Sequence, residues 1–506
     1  IQNRMACLTL GDAGAAVILD KGTTQASGFQ SIDLQTYGGY SHLCIAKEAA
    51  TGGWIMLTDS VNLTGAALTA GAQHSIAALR QTGWPADSFQ HLIMHQTSRM
   101  TLNSARQEIN RLLGSNICHN GNTINNLTER GNTSSTSHFI ALSDQIQNGQ
   151  IQSGDKIVFS ISASGLTIGT ALYTMDDLPD RIRRSQAPKT WNPPTDIPHT
   201  AVPAAKNPVA PRVRVESIGT LPLQADRKAN SLEALTQAAK QALKTSIHQA
   251  NDIGLLLYTG LYRTDYVLEP AYAALVAGEL GMNSVTSATV EGKTFAFDIF
   301  NGAIGFLNAC YLAQQMIAAE NCQAAMILAA EIENNAENFP DELLGIQEAA
   351  SALILDAGAA NSKGFSQFLF RYELSAMHAY TTHTVVEDTN LRLTIHKAQN
   401  LEDLYLELII PTVQELLERA GLSLEQIDKI FPPQISSAFI NRLGNALGLP
   451  AEKFVDIAGA GPDLFSSSIP YALEHALLEG LVKEGATGLL IAVGSGLQAG
   501  CALYHF

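Results

Sequence analysis

SGLTIGTALY, Ser164 to Tyr173, recurs near the C-terminus as SGLQAGCALY, Ser495 to Tyr504, displaced by 331 residues. Three further pairs precede it in the same order. GDAGAAVILD, Gly11 to Asp20, answers QEAASALILD, Gln347 to Asp356, at an offset of 336. TGWPADSFQHLIMHQTS, Thr82 to Ser98, answers AGLSLEQIDKIFPPQIS, Ala420 to Ser436, at 338, and GNTSSTS, Gly131 to Ser137, answers PDLFSSS, Pro462 to Ser468, at 331. Matches at nearly constant spacing define a tandem repeat. Between the copies, Ser185 to Arg212 carries Pro188, Pro193, Pro194, Pro198, Pro203, Pro208 and Pro211. No helix or central strand tolerates that density, so the segment reads as an extended linker. The organisation is therefore residues 1–184, a proline-rich linker over 185–212, and a second copy over 213–506.

The copies are unequal in length. About 130 residues precede Gln347 in the second copy, and ten precede Gly11 in the first. Copy one is expected to lack its front half, which would leave sheet edges and apolar helix faces open to water. A separate polypeptide, or a parent chain from which this one was cut, would supply roughly 120 to 130 residues by comparison with copy two. That the chain opens on Ile1 rather than methionine fits the same expectation.

Local patterns read as α/β. Lys156 to Ser162 (KIVFSIS) and Gly488 to Val493 (GLLIAV) are short apolar runs without alternation, as expected of strands buried on both faces. Leu232 to Ile247 is helical in pattern, opened by Asn230 with Glu233 three residues on in capping-box spacing. Leu404 to Ala420 is helical too, with Pro411 predicted to kink or break it.

Composition narrows the function. The chain has 506 residues, 46% hydrophobic and only 15% charged, which excludes intrinsic disorder. Its 47 acidic against 31 basic residues, net −16, argue against nonspecific nucleic-acid binding, which draws its affinity from basic side chains on phosphates. Six cysteines without paired C-x-x-C spacing form neither a disulfide framework nor a zinc site, and a reducing cytosol is the simplest compartment. No run of about 18 apolar residues spans a membrane, and no metal or cofactor is expected.

GDAGAAVIL, HQTS at His95 to Ser98, GNTSS at Gly131 to Ser135 and SGDKIVFSISASGLTIG at Ser153 to Gly169 together resemble the back half of the ketoacyl synthase III branch of the thiolase-like condensing enzymes. In copy two the front half resembles it as well, in DIGLLLYTG at Asp252 to Gly260 and FDIFNGAIGF at Phe297 to Phe306. The resemblance implies a five-layered αβαβα fold, as one C-terminal half-domain plus one complete tandem copy. It also implies a cysteine nucleophile at a buried helix start and a His/Asn pair acting on the thioester carbonyl. His95 matches the catalytic histidine and Asn132 the catalytic asparagine. Two hydrogen-bond donors aimed at a developing enolate oxygen in a dry pocket suit that chemistry. The nucleophilic cysteine belongs to the missing front half. In copy two the three positions hold Ala303, Pro433 and Asp463, so that copy is expected to be non-catalytic.

Other residues carry weaker signals. Ser164 and Gly165, in the turn before the last strand of copy one, are candidates for an oxyanion or pocket position; Ala163 and Ser164 stand where glycines are usual in the resembled family. Arg99 and Arg106 share a helix face and Arg181, Arg183 and Arg184 follow the last strand; either cluster could dock an acidic carrier protein, with a solvated basic face as the competing reading. Cys7, Cys44, Cys118, Cys322 and Cys501 fall in no nucleophile motif, and Cys310 reads as a core thiol on the helix after Ala303.

The resemblance implies acyl-CoA or acyl-carrier-protein thioesters as substrates and carbon–carbon bond formation as the reaction. The pairing of a live and a dead copy resembles the ketosynthase/cyclases of dialkylresorcinol and stilbene biosynthesis. Relatives resemble obligate dimers, so copy two would supply a dimer half in cis, or serve as a stabilising lid, with further dimerisation open. Acyl transfer to an oxygen or nitrogen nucleophile, and a non-catalytic partner of chain-length-factor type, are the alternatives.

Overall fold

The computed structural model describes residues 10–20, 27–49, 52–184, 212–222, 230–284, 293–358, 363–387, 390–459 and 463–506. The linker expected over 185–212 lies outside the described residues apart from Arg212. The described chain forms two compact units, one within Ile1–Cys44 and Met56–Val209, the other from Ile45–Ile55, Ala210–Ser284 and Gly292–Phe506.

The first unit contains β1 (Gly28–Thr36), the outer parts of a hairpin formed by β2 (Cys44–Glu48) and β3 (Trp54–Thr58), α1 (Ser60–Gln81), β4 (His91–Met94), α2 (Arg99–Leu113), α3 (Leu127–Arg130), α4 (Ser137–Gln147), β5 (Lys156–Ala163), β6 (Thr167–Thr174) and α5 (Leu178–Arg184). Its sheet runs β1-β6-β5-β4, with only β4 and β5 parallel. On one face Leu92, Met94, Val158 and Leu172 pack under α1 and α2. On the other, Ile93, Ile157, Phe159 and Ala171 meet α4. Successive strand residues alternate between faces, so a strand covered on both reads as unbroken apolar sequence. Three layers result.

The second unit contains β7 (Arg214–Pro222), α6 (Ser231–Thr245), β8 (Ile253–Tyr258), α7 (Tyr272–Glu279), β9 (Phe295–Asp298), α8 (Gly305–Ala318), β10 (Ala324–Glu331) and β11 (Ala349–Asp356). It continues with β12 (Gly364–Tyr372), the hairpin β13 (Tyr380–Glu387) and β14 (Asn390–Lys397), α9 (Leu401–Ala420), β15 (Lys429–Phe431), α10 (Ser437–Leu447), α11 (Ser468–Leu478), β16 (Thr487–Gly494) and β17 (Gln498–His505). A sheet of order β12-β17-β16-β15 repeats the topology of the first unit, and a five-stranded sheet β7-β11-β10-β8-β9 is added to it. The helices α6 and α7 cover the outer face of the five-stranded sheet, α8 and α11 fill the space between the two sheets, and α9 and α10 cover the far face. This is the five-layered αβαβα order. Residues Ile45–Ile55, from the first repeat copy, are built into this unit: Ala46 bridges to Glu269, Lys47 pairs with Asp265 at 2.7 Å, and Trp54 meets Tyr266 edge-on.

Local readings are met with two differences. Asn230 caps α6, accepting from the amides of Leu232 and Glu233, but Glu233 accepts from Gln237 instead of closing the box. Pro411 does not end α9, which continues to Ala420. The carbonyl that proline leaves unbonded belongs to Glu407, an exposed residue, where water can take the bond. The strand-like run Gly11–Asp20 forms no strand beyond a bridge from Leu10 to Asn132.

Candidate active site

The segment HQTS follows β4, and each of its conserved roles within the two copies has a physical basis. Gln96 is fully buried and donates to the carbonyls of Met94 and Ile124 while accepting from the amide of Asn126. In copy two Gln434 does the same for Pro432, Val455 and Ile457. Ser98 and Ser436 cap α2 and α10, accepting from the amides of Thr101 and Phe439. These residues hold the loop in both copies, which differ at His95 against Pro433 and at Thr97 against Ile435.

His95 projects from the C-terminal end of β4, its own amide bonded to the Ser160 carbonyl at 3.3 Å. Its Nδ1 lies 2.8 Å from the Ser137 hydroxyl at the start of α4. With that hydroxyl donating, Nδ1 is the acceptor and Nε2 carries the proton. The ring stacks on His138 at 6.1 Å, and His138 Nε2 donates to the Ser160 carbonyl at 3.0 Å. Burial, reinforced by His138, pushes His95 down to about 4, so it stays neutral at physiological pH. A neutral imidazole holding an N–H is a hydrogen-bond donor without a charge to neutralise.

Asn132 lies on the turn that leads into α4. Its Oδ1 accepts from the Ser134 amide at 3.0 Å, and its carbonyl accepts from Gly11 at 2.9 Å. A Cβ at Gly11 would fall 2.0 Å from the Arg130 carbonyl oxygen, which explains the glycine. Oδ1 is thus engaged within the turn, leaving the amide NH₂ as a donor. Ser137 ties the His95 and Asn132 segments together. Ser164 and Gly165 form the β5–β6 turn, at the same end of the sheet as His95; Gly165 has φ 139°, a conformation that favours glycine.

The three replaced positions of copy two also converge. Ala303, Pro433 and Asp463 line one cavity of about 390 Å³. Asp463 repeats the turn geometry of Asn132, with Oδ1 accepting from the Phe465 amide at 2.8 Å and its carbonyl accepting from Gln347 at 2.8 Å. Asp463 lines this cavity, and burial raises its carboxyl to about 6. This cavity lies in the copy without the His/Asn pair. A shallow depression lined by Tyr40, His42 and Val61 in the first unit includes neither His95 nor Asn132.

The remaining candidates separate. Arg99 is exposed and donates to Thr128, and Arg106 reaches Asn120, so both lie over the loop after α2. Arg181, Arg183 and Arg184 are paired with Asp176, Asp177 and Asp180, which cancels the charge that would attract an acidic partner. Burial pushes the thiols of Cys118 and Cys322 up to about 11 and raises Cys310 and Cys501 further, which makes them poor nucleophiles. Cys44 is buried beside Thr58, and Cys7 lies outside the described residues. Ala303 sits in a 3-10 turn ahead of α8, so Cys310 is on the helix that follows, within the middle core layer. Sequence reasoning missed Gln96, Ser137 and His138. The signal was present: Gln and Ser recur at both copies, whereas His138 faces Ile469 in the alignment of the copies and so belongs to copy one alone.

The second unit has the five-layered αβαβα order, and the first holds His95 and Asn132 at the end of its sheet. The family model for the C-terminal part of 3-oxoacyl-[acyl-carrier-protein] synthase III matches twice, over residues 79–175 and 417–506. β-Ketoacyl-[acyl-carrier-protein] synthase III of Aquifex aeolicus is 27% identical over 275 residues, 54% of this chain and 82% of that protein. The corresponding Clostridium perfringens enzyme is 24% identical over 288 residues, 54% of this chain and 84% of its own. A crystal structure of an OleA variant from Xanthomonas campestris superposes with a TM-score of 0.51 and 19% identity, over 58% of this chain and 98% of that one, a likeness that speaks for the fold. Over these regions the chain is similar to ketoacyl synthase III. No helix among the described residues is long and apolar enough to cross a membrane.

Proposed function

We propose that copy one is the catalytic half-site of an enzyme that joins two acyl thioesters through a carbon–carbon bond, and that copy two performs no chemistry. The observation that carries this reading is the His95–Ser137–Asn132 arrangement, which holds a neutral imidazole N–H and a free amide NH₂ on adjoining turns. Aimed at one oxygen, they would stabilise the enolate formed when a β-carboxylated or β-ketoacyl donor is activated. That enolate attacks the acyl group held as a cysteine thioester, forming the new bond and releasing the thiolate. The cysteine would come from the segment equivalent to Val213–Glu331, on a companion chain or in the parent polypeptide. Exposure of Val17, Ile18 and Leu19 supports such a complement. Carrier-protein or CoA thioesters are the substrates, with Arg99 and Arg106 as the candidate carrier contacts.

Closure of the product to a resorcinol- or stilbene-type ring precursor is the finer form of the proposal, supported by the tandem organisation. Cytoplasmic operation follows from the thioester substrates. A chain-length-factor-like partner would have no use for paired donors; acyl transfer to an oxygen or nitrogen nucleophile would, and is the second reading. Incubating the completed enzyme with acyl thioesters and treating the product with mild base separates them. A product that survives with the combined carbon count supports condensation, and one that reverts to its parent acid sinks it.

A further inference from the structure

Copy two has lost three reacting groups and kept its room. Ala303 leaves space in the wall that a larger side chain would fill. The cavity stays within the roughly 300–1,000 Å³ of small-molecule sites. Phe306, Ile469 and Ile491 give it apolar walls, and Asp463, Tyr380 and Tyr405 give it polar groups.

The polar chemistry has been inverted relative to copy one. In both copies Oδ1 of the turn residue is engaged by the backbone, at Ser134 or Phe465. The remaining atom is a donor NH₂ in Asn132 and an acceptor oxygen in Asp463. Pro433 removes the second donor, and Ala303 removes covalent capture. A thioester carbonyl, which only accepts, would therefore face a carboxylate. A hydroxyl, which donates, would be welcomed. Head-group charge is disfavoured from both sides, because Lys397 lines the same cavity and acts on Asp463 while Asp463 itself repels anions. At the mouth Arg442 is already paired with Glu402 and Asp403.

We propose that the cavity of copy two binds, without covalent attachment, a neutral apolar molecule whose hydroxyl head donates a hydrogen bond to Asp463. This stands independently of the condensing reaction, since it concerns binding to this chain alone. The test is calorimetric titration of the full chain at pH 8, above the about 6 to which burial raises Asp463, with 4-hexylphenol and with 4-hexylanisole, which differ only in methylation of the donor. The phenol should bind at least about tenfold more tightly, the usual worth of a hydrogen bond to a charged group. Asp463→Asn turns an NH₂ into the cavity and should cut that preference below about threefold. Ala303→Phe should abolish binding of both by filling the space. Equal affinity for the two probes, an unchanged preference in Asp463→Asn, or full binding by a folded Ala303→Phe protein would overturn the proposal. Should Ala303→Phe fail to fold, the Asp463→Asn comparison decides alone.

Discussion

Val17, Ile18 and Leu19 are 53%, 95% and 74% exposed, while Leu353, Ile354 and Leu355, the same positions of the repeat, are completely buried. The two segments share their pattern, GDAGAAVILD against QEAASALILD. The difference is company. β11 is hydrogen-bonded along its whole length to β10 on one side and β7 on the other, with α6 across its face. Gly11–Asp20 has no such strands beside it among the described residues. An apolar run becomes a strand only where other backbones satisfy its N–H and C=O groups.

The sharpest way to break the comparison is to place a charge in each segment. Ile354→Asp buries an unpaired carboxylate and should unfold the second unit, a loss of several kcal/mol visible as a vanished cooperative melt. Ile18→Asp should shift the stability of this chain by less than about 0.5 kcal/mol. It should nevertheless prevent association with a complementing front half, measured by co-purification. If Ile18→Asp alone unfolded the chain, Gly11–Asp20 would already be packed, and the case for a complement would fail.

Next in size is the contrast of the two turn-and-loop sites. In the completed enzyme His95→Ala and Asn132→Ala should each lower turnover about 10² to 10³-fold, the usual cost of one oxyanion donor, with much smaller effects on substrate binding. Pro433→Ala and Asp463→Ala should leave turnover within a few fold. Peptide mapping after incubation with an acyl thioester should find no acyl group between Val213 and Phe506. A stoichiometric adduct there would reverse the roles of the copies.

Gln96 and Gln434 offer a like-for-like test of the shared scaffold. Each joins three backbone groups in the interior. Replacing either by alanine strands those groups and should cost about 1 to 3 kcal/mol in chemical denaturation of its own unit. A large cost in one unit and none in the other would show that the loops are held differently.

The smallest expected effect is a pH dependence peculiar to copy two. Glu331 is fully buried and accepts from Ser466 and the amides of Leu261 and Tyr262; burial raises it to about 7. Its folded value exceeds the ordinary carboxylate value, so the folded state holds the extra proton across that window. Its contribution is complete below about 4.5 and is lost as pH rises through about 7. Melting of the second unit should fall over that range, and Glu331→Gln should flatten the slope. Asp463, raised in the same direction, would account for what remains. A slope unaffected by Glu331→Gln would assign it to other groups.

Much of the architecture was legible beforehand because it rests on short-range rules. A continuous apolar run such as GLLIAV has to be covered on both faces, and β16 is: Leu489, Ile491 and Val493 face one core layer, Leu490 and Ala492 the other. The repeat offsets place Pro433 opposite His95 and Asp463 opposite Asn132 for a related reason, since loops between equivalent elements keep their place when a fold is duplicated. That α9 continues past Pro411 rests on the exposure of Glu407, which depends on how α9 packs and which no local pattern encodes.

The sequence by itself determined that the chain holds a repeat, and that His95 and Asn132 in one copy stand opposite Pro433 and Asp463 in the other. Those statements need only residue identities and spacings. Tertiary structure alone decided that Ser137 meets Nδ1 of His95 and that burial keeps that ring neutral, that the arginines after β6 are spent on neighbouring aspartates, and that the altered site of copy two remains hollow. Each depends on distances between residues far apart in the chain and on the burial that closing those distances creates, and hydrogen bonding, charge pairing and cavity volume exist only once the chain is folded.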